Sequence, residues 1–411
     1  MSPAFTVLHT ADWHLGVKLR DQDRSGEHRM FMDWLLGVME QERVDLLVIA
    51  GDIFDSANPP QSALLQWYNF LSQVHARLPH ARILAVAGNH DSPQVMEAAA
   101  RPLEVLRVTI VGEMQQLSDV IKVYTTADGR PALAVAMIPF LRDRELRLGG
   151  EADTASALES QLRAGIARHY REAAAAAQPW LEQGLPVIAT GHLTARGGRL
   201  SASEREVHVG NLGAVSTDAF PSAFCAVLLG HLHRPQAVGE CAHIRYSGSP
   251  LALSFSESED VKEVRILRFA DGRLAEQRAV AVPVYRPLIR VEAAGSALES
   301  TLKHLSVPPS AFTPWVELTV HGSADTPALL LERVATALPA GAAEVLSLRR
   351  ETNAAPEPGL AAAPASLQQL TPHDVFEHTL AAASIPEDGA VALRLTFARL
   401  MDIFHAESGP A

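Results

Sequence analysis

Cysteine is scarce in this sequence of 411 residues. The two cysteines, Cys225 and Cys241, cannot build a disulfide framework, and we expect both to be buried thiols in a reducing cytoplasm. No apolar run approaches the ~18 residues that a membrane-spanning helix needs. The N-terminus lacks a basic region followed by an apolar one, which argues against secretion. These absences predict a cytoplasmic protein, associated with the nucleoid if it acts on DNA.

Positive charge is also in short supply. The chain carries 35 lysines and arginines against 47 aspartates and glutamates, a formal net charge of −12. A protein that holds nucleic acid through its general surface is normally basic. If this chain acts on DNA, then metal ions, local arginines or a partner must supply the attraction.

Several short apolar runs in the sequence end in polar residues. Leu46–Ala50 is apolar throughout and predicts a strand buried on both faces, after which Gly51 lets the backbone turn and deliver Asp52. Open α/β sheets place their ligands at this carboxyl end of the strands. Four more predicted strands end in the same way, and the polar residues at the five ends are Asp12, His14, Asp52, Asp55, Asn89, His90, Asp91, His192, His231 and His233.

Each of these residues has an ordinary explanation when taken alone, as a turn residue or as a core or surface histidine. Taken together, buried polar side chains at one sheet edge cost about 1–3 kcal/mol each if they have no partner. Imidazole, carboxylate and amide ligands suit Mn, Fe or Zn better than Ca or Mg. There are enough of them for two metals ~3.5–4 Å apart that share one carboxylate. The sequence therefore predicts a two-metal site.

In this order the motifs resemble the metallophosphoesterase superfamily, and in detail its bacterial nuclease branch. The segments that carry the resemblance are His9–Gly16, Ala50–Asp55, Ala87–Ser92, Thr190–Thr194 and Tyr246–Pro250. The resemblance implies an α/β fold, a layered α/β/β/α sandwich with a small α+β capping domain and a C-terminal helix-loop-helix.

The resemblance also implies a role for each site residue. The ligands of one metal, expected to be Mn²⁺, are Asp12, His14, Asp52 and His233, and those of the second are Asp52, Asn89, His192 and His231. His90 is implied to be catalytic, either stabilising the developing charge or protonating the leaving oxygen. Asp55, the second catalytic candidate, stands where archaeal and eukaryotic relatives commonly have a histidine, so it either shares the proton transfer or only supports the site.

Two further features each allow two interpretations. Arg142, Arg144 and Arg147 follow a predicted strand on the side of the site, where they could bind DNA phosphates or form a solvated charge run. The carboxylate of Asp91 could orient His90 or His14, or it could form a turn or helix cap.

The chain divides into four predicted segments. Residues 1–280 form the nuclease domain and residues 281–350 a small capping domain with a β-α-β-α-β pattern. Residues 351–370 are rich in alanine and proline and predict a flexible linker. Residues 371–411 predict two helices whose apolar stripe is too large to be buried by the pair alone, so we expect them to dock a partner.

The resemblance implies the function of a Mn-dependent DNA nuclease subunit, a double-strand exonuclease and a single-strand or hairpin endonuclease. The resemblance implies a homodimer that joins two copies of an ATPase to process DNA ends, hairpins and blocked ends. One alternative is a phosphatase or phosphodiesterase acting on small molecules or phosphoproteins, which the same fold could support. It gives no role to the small domain and the C-terminal helices. The other alternative is an inactive DNA-end-binding scaffold, against which the intact ligand set argues.

Overall fold

The computed structural model describes residues 4–146, 155–199, 214–339 and 341–351, together with Phe376, Leu380, Leu393 and Phe397. The chain divides into two units, Met1–Thr352 and Asn353–Ala411. The predicted phosphate contact Arg147 and almost all of the predicted linker and C-terminal helices lie outside the described residues. In the second unit the four described positions are helical, and the rings of Phe376 and Phe397 stack with their centroids 4.1 Å apart.

The strands of the first unit, in chain order, are β1 (Phe5–Thr10), β2 (Lys18–Leu19), β3 (Gln22–Asp23), β4 (Leu46–Ala50), β5 (Arg82–Val86), β6 (Val108–Val111), β7 (Ile121–Thr125), β8 (Pro131–Ala136), β9 (Val187–His192), β10 (Ala226–Gly230), β11 (Gln236–Val238), β12 (Cys241–Tyr246), β13 (Glu263–Ala270), β14 (Arg273–Ala281), β15 (Leu288–Ala294), β16 (Trp315–His321) and β17 (Glu344–Glu351). Its α-helices are α1 (Ser25–Glu42), α2 (Gln61–Arg77), α3 (Pro93–Ala98), α4 (Ala100–Glu104), α5 (Asp143–Leu146), α6 (Ala155–Glu182), α7 (Leu298–Lys303) and α8 (Pro327–Ala337). Short 3₁₀ turns lie at Thr217–Ala219, Phe255–Glu257 and Gly295–Ala297.

Two six-stranded sheets pack face to face. Their strand orders are β14-β13-β1-β4-β5-β6 and β11-β12-β10-β9-β8-β7. The packing of β4 on both faces explains why its sequence is apolar throughout. Leu46 and Val48 pack between the sheets, and Leu47 and Ile49 pack against α1 and α2. Helix α6 covers the outer face of the second sheet, where Tyr170 is fully buried. The layers run α/β/β/α, so the predicted fold class is confirmed.

The parallel strands bring the predicted site residues to one place. Strands β1, β4, β5 and β6 are parallel in one sheet, and β8, β9, β10 and β12 in the other. After β1 and β4 the backbones continue side by side, because the Asp12 N–H donates to the Gly51 carbonyl at 3.0 Å. The second sheet reaches the same point, since the His231 N–H donates to the Asp12 carboxylate at 2.8 Å. The carboxyl edges of both sheets therefore meet at the predicted site.

A smaller three-stranded sheet follows the sandwich. Strands β15, β16 and β17 are parallel, and together with α7 and α8 they enclose a core of their own that includes Val291, Leu318 and Leu330. The order of elements is the predicted β-α-β-α-β. The assignment of residues 281–350 as a separate capping domain stays a prediction.

An ion cluster of Arg24, Glu27 and Arg286 joins the sandwich to this small sheet. The side chains of Arg24 and Glu27 are 1% and 2% exposed. Oε1 of Glu27 accepts hydrogen bonds from Nε of Arg24 at 3.1 Å and from Nε of Arg286 at 3.0 Å. The Arg286 guanidinium lies 4.0 Å from the ring centroid of Trp315 in β16, and Arg24 also donates to the carbonyl of Ala252.

No described helix is long and apolar enough to cross a membrane. Cys225 and Cys241 are free and only half-buried, so the expectation of two buried thiols is wrong. Burial nevertheless raises the pKa of the Cys225 thiol to about 11, which keeps it protonated at neutral pH.

The ion cluster makes a prediction about stability. Glu27→Gln should lower the free energy of unfolding by about 3–5 kcal/mol, because the buried Arg24 and the partly buried Arg286 lose their counter-charge. Glu40→Gln is the matched control: it breaks an exposed pair with Arg77 and should leave the free energy nearly unchanged. Urea unfolding followed by tryptophan fluorescence measures both, and equal losses would contradict the role given to the cluster.

Candidate metal centre

The structure brings the seven predicted metal ligands and His90 together at the meeting edge of the two sheets. Three groups of ligand atoms lie within 4.8 Å of one another, and their members are Asp12, His14 and His233; His14, Asp52 and His90; and Asp52, His192 and His231. Asn89 joins the third group, since its Oδ1 lies 3.0 Å from Nε2 of His192 and 2.9 Å from Nδ1 of His231.

The backbone is strained at four of these residues. Asp12, His14, Asp52 and His231 have φ values of 54°, 48°, 49° and 100°, in the left-handed region that non-glycine residues rarely adopt. Each such conformation costs on the order of 1–3 kcal/mol and persists where the surroundings hold it. The strain turns these four side chains toward a common point.

Two glycines make room for the ligands. Gly51 has a φ of 94°, and a Cβ there would overlap the ring of His192. A Cβ at Gly88 would overlap the carboxylate of Asp52. Glycine therefore precedes Asp52 and Asn89 because the backbones must pass close to neighbouring ligands, as well as for the turn itself.

The carboxylate of Asp52 is shared between two of the three groups. Its Oδ2 lies 3.2 Å from Nε2 of His192 and 3.6 Å from Nε2 of His14, and its Oδ1 accepts from the His90 N–H at 2.8 Å. Burial raises the pKa of Asp52, but His192, His14 and His90 together outweigh burial, and the pKa lies well below its usual value. Asp52 is thus an ionised carboxylate held between two imidazoles.

Hydrogen bonds on the far side of each ring orient the imidazoles. Nδ1 of His192 donates to the carbonyl of Ala50 at 2.9 Å, so Nε2 faces the oxygens of Asp52 and Asn89. Burial lowers the pKa of His192, but Asp52, Asp12 and the Ala50 carbonyl together outweigh burial and raise the pKa to about 9. The surroundings of Nε2 of His192, which include the oxygens of Asp52 and Asn89, therefore stabilise positive charge, as a bound cation requires.

Two buried atoms in the first group have no hydrogen-bond partner, Oδ2 of Asp12 and Nε2 of His14. Nδ1 of His14 contacts Oδ1 of Asp55 at 3.2 Å, which leaves Nε2 as the free nitrogen of the ring. Burial raises the pKa of Asp12 to about 6. Unsatisfied acceptors of this kind cost about 1–3 kcal/mol each. The donor set of imidazoles, carboxylates and an amide fits divalent metal ions.

Asp91 holds the turn and orients neither histidine. Its carboxylate accepts from three backbone N–H groups at 2.9–3.1 Å, those of Gly88, Ile53 and Phe54. The interpretation that it orients His90 or His14 is therefore wrong, and its role as a turn residue is correct. The cap of α3 is supplied by Ser92, whose Oγ accepts from the Val95 N–H at 3.4 Å.

The three predicted phosphate contacts differ. Nη2 of Arg142 donates to the Asp91 carbonyl at 3.2 Å beside the site, and its Nη1 is buried without a hydrogen-bond partner. Arg144 is exposed and forms an ion pair with Glu113. Arg147 lies outside the described residues. Only Arg142 is placed next to the site by a described contact.

Comparisons with known proteins identify the family. Residues 5–235 match the model described as calcineurin-like phosphoesterase, and residues 284–384 match the type 5 capsule protein repressor C-terminal domain. The SbcD subunit of nuclease SbcCD from Rhodobacter capsulatus is 36% identical over 390 residues, which cover 90% of this chain and 93% of that protein. This chain belongs to the SbcD family. The Escherichia coli K12 member is 30% identical over 395 residues, 95% of this chain and 96% of that protein, and the Bacillus subtilis member is 33% identical over 294 residues, 71% and 73%.

Membership of the SbcD family confirms the resemblance on which the sequence analysis relied. The calcineurin-like phosphoesterase fold implies divalent metal ions, and the clustered side chains of this chain fit them. One family model matches the sandwich as far as residue 235, and the other matches the small sheet together with part of the C-terminal unit.

Sequence reasoning missed two buried residues beside His233. Oε1 of Glu257 lies 3.4 Å from Nδ1 of His233, and Nζ of Lys262 lies 2.7 Å from Oε2 of Glu257. Burial raises the pKa of Glu257, but Lys262 and His233 together outweigh burial and hold the pKa well below its usual value. Glu257 belongs to the polar run Ser256–Asp260, which has the composition of an exposed loop. Its only signal was its position shortly after Tyr246–Pro250.

The position of Asp52 between two groups predicts the metal content of a variant. Asp52→Asn should retain at most one weakly held metal ion per chain, because both groups lose their shared charge. Asp45→Asn is the control at the other end of β4, where the carboxylate accepts from the Thr6 N–H at 2.8 Å, and it should keep two. Mass spectrometry after gel filtration measures the number of metal ions per chain in both variants. Two tightly bound ions in Asp52→Asn would show that the carboxylate is not shared.

Proposed function

We propose that this chain is the metal-dependent nuclease component of a complex that processes DNA ends, and that it cleaves phosphodiester bonds. The observation that supports this best is the Asp52 carboxylate between two groups of candidate ligands, in a chain similar along at least 90% of its length to the SbcD proteins of two bacteria. Exonuclease activity on duplex DNA and endonuclease activity on single strands and hairpins are part of the proposal.

We assign the ligands to two metal ions. The first ion takes Asp12, His14, Asp52 and His233, and the second takes Asp52, Asn89, His192 and His231. Mn²⁺ is the proposed ion because imidazole and carboxylate ligands together favour Mn, Fe or Zn over Mg. When bound, the ions supply a nucleophile at neutral pH and Lewis-acid activation of the phosphate.

His90 is the proposed proton donor or charge stabiliser. Its backbone N–H is anchored on Asp52, and its Nδ1 contacts the carbonyl of Asp55 at 2.8 Å. With Nδ1 held in this way, Nε2 is the atom available to exchange a proton with the leaving oxygen. Asp55 contacts His14 through its side chain, so we assign it to positioning His14 and not to proton transfer.

The proposed partner is SbcC, the ATPase of the SbcCD complex after which the bacterial relatives are named. We propose a homodimer joined by two copies of SbcC, with residues 371–411 docking the ATPase through the linker 351–370. The small sheet within residues 281–350 is proposed to cap the site. The match of residues 284–384 to one family model supports continuity between the small sheet and the C-terminal unit.

One assay tests the function and the role of His90. The full chain should cleave hairpin and blunt duplex DNA with Mn²⁺, more slowly with Mg²⁺, and faster when SbcC and ATP are added. His90→Ala should keep both metals but cleave ~100–1,000-fold more slowly, the usual cost of removing a transition-state donor. His80→Ala, an exposed histidine at the amino end of β5, is the control and should match the wild type.

Several outcomes would count against these assignments. Faster hydrolysis of a small aryl phosphate than of any DNA would favour the phosphatase alternative. Loss of a metal ion in His90→Ala would show that His90 is a ligand. Cleavage by His90→Ala at the wild-type rate would show that His90 takes no part in catalysis.

The contrast between Arg142 and Arg144 predicts which one contacts DNA phosphate. Arg142→Ala should lower kcat/KM for hairpin DNA ~10–100-fold, because a charged hydrogen bond contributes about 1.5–3 kcal/mol. Arg144→Ala should change kcat/KM less than ~2-fold, since Arg144 is exposed and already paired with Glu113. Steady-state kinetics of both variants measures the difference, and similar losses would show a shared phosphate-binding surface.

A further inference from the structure

The segment Tyr246–Pro250 carries part of the family resemblance but supplies no metal ligand. The structure shows that it packs against the backbone of His233. The Ser249 N–H donates to the His233 carbonyl at 3.1 Å. A Cβ at Gly248, whose φ is 74°, would lie 2.6 Å from the same carbonyl oxygen. The segment therefore fixes the position of the His233 main chain.

Lys262 strengthens this attachment from the other side. Its buried Nζ donates to the His233 carbonyl at 2.9 Å, to Oγ of Ser249 at 3.0 Å and to Oε2 of Glu257 at 2.7 Å. A lysine ammonium has three N–H donors, and each of these contacts can use one. Lys262 thus ties the backbone of His233 to the carboxylate of Glu257.

Glu257 completes the arrangement at the ring of His233. Oε1 of Glu257 lies 3.4 Å from Nδ1 of His233 and also accepts from Oγ of Ser254 at 3.2 Å. Oε2 accepts from the Leu253 N–H at 3.2 Å in addition to Lys262. With this many partners, the fully buried carboxylate has one orientation, and that orientation faces the imidazole.

A buried lysine–glutamate pair is weak evidence for stability, because apolar residues of similar volume often stabilise as well. A carboxylate that accepts the Nδ1 proton of a metal-ligating histidine has a separate effect. It fixes the tautomer and ring orientation, and it makes the other nitrogen more basic. The position of the pair directly behind a candidate ligand points to this second effect.

We propose that Glu257 and Lys262 are positioning residues that hold His233 so that its Nε2 is presented to the first metal ion. Glu257 accepts the proton on Nδ1, and Lys262 fixes both Glu257 and the His233 carbonyl. The inference rests on the proposed assignment of His233 as a ligand.

The test uses full-length Glu257→Gln, with Glu259→Gln as the matched control. Glu259 lies two residues away in the same loop, is exposed, and undergoes the same chemical change. Calorimetric titration of the metal-free proteins with Mn²⁺ should show ~10–100-fold weaker binding at one of two sites in Glu257→Gln. The second site should keep its affinity, because the imidazole that Glu257 contacts is that of His233, a ligand assigned to the first ion. Wild-type affinity at both sites in a folded Glu257→Gln protein would overturn the proposal.

The variant His233→Ala tests separately whether His233 is a metal ligand, the assignment on which this inference rests. If His233→Ala keeps both ions at full affinity, the ligand assignment fails. If His233→Ala loses an ion while Glu257→Gln keeps both, only the positioning role fails.

A measurement on the wild type covers the case in which Glu257→Gln does not fold. A long-range ¹H–¹⁵N spectrum of the zinc-loaded, ¹⁵N-histidine-labelled chain reports which ring nitrogen carries a proton. The His233 signal, assigned through His233→Asn, should show a protonated Nδ1 and a metal-bound Nε2. A metal-bound Nδ1 would overturn the proposal.

Discussion

Two carboxylates and four imidazoles are buried where the carboxyl edges of the two sheets meet, with exposures between 0% and 8%. Water does not reach them freely, so their charges and lone pairs need partners within the protein or from bound cations. The surrounding structure meets this need. The second nitrogen of each of three imidazoles faces an oxygen acceptor, supplied by the Ala50 carbonyl, Asp55 and Glu257. The glycines beside Asp52 and Asn89 and the left-handed backbone at four ligands exist because these groups must approach one another closely.

Most of the site could be predicted because its signals are local. An apolar run followed by glycine and a polar residue specifies a buried strand and the side chain at its end, as at Leu46–Asp52. The convergence of five such ends then follows from the parallel sheets. The division into layers was expected only from the resemblance to the metallophosphoesterase superfamily, because the alternation of β4 between two cores cannot be read from a segment that is apolar throughout.

The rest of the site depended on contacts that no local pattern carries. Glu257 lies in an acidic, serine-rich run, and only the tertiary structure places its side chain behind a ligand. Arg142 and Arg144 are the same residue type and lie two positions apart, so the sequence does not distinguish them. The start of α5 at Asp143 separates them, so that one reaches the Asp91 carbonyl and the other reaches Glu113. Asp91 was ambiguous because its partners are backbone groups that the sequence does not distinguish.

The contact between the His231 N–H and the Asp12 carboxylate spans 219 residues of sequence. At ~5–20 residues per second, a ribosome needs on the order of ten to forty seconds to add the second of these residues after the first. During that time the early motifs are present without their partners, and Glu257 and Lys262 come later still. A ribosome-bound fragment that ends before His231 therefore lacks a candidate ligand of each proposed ion, so the site can form only after more than half of the chain has been made.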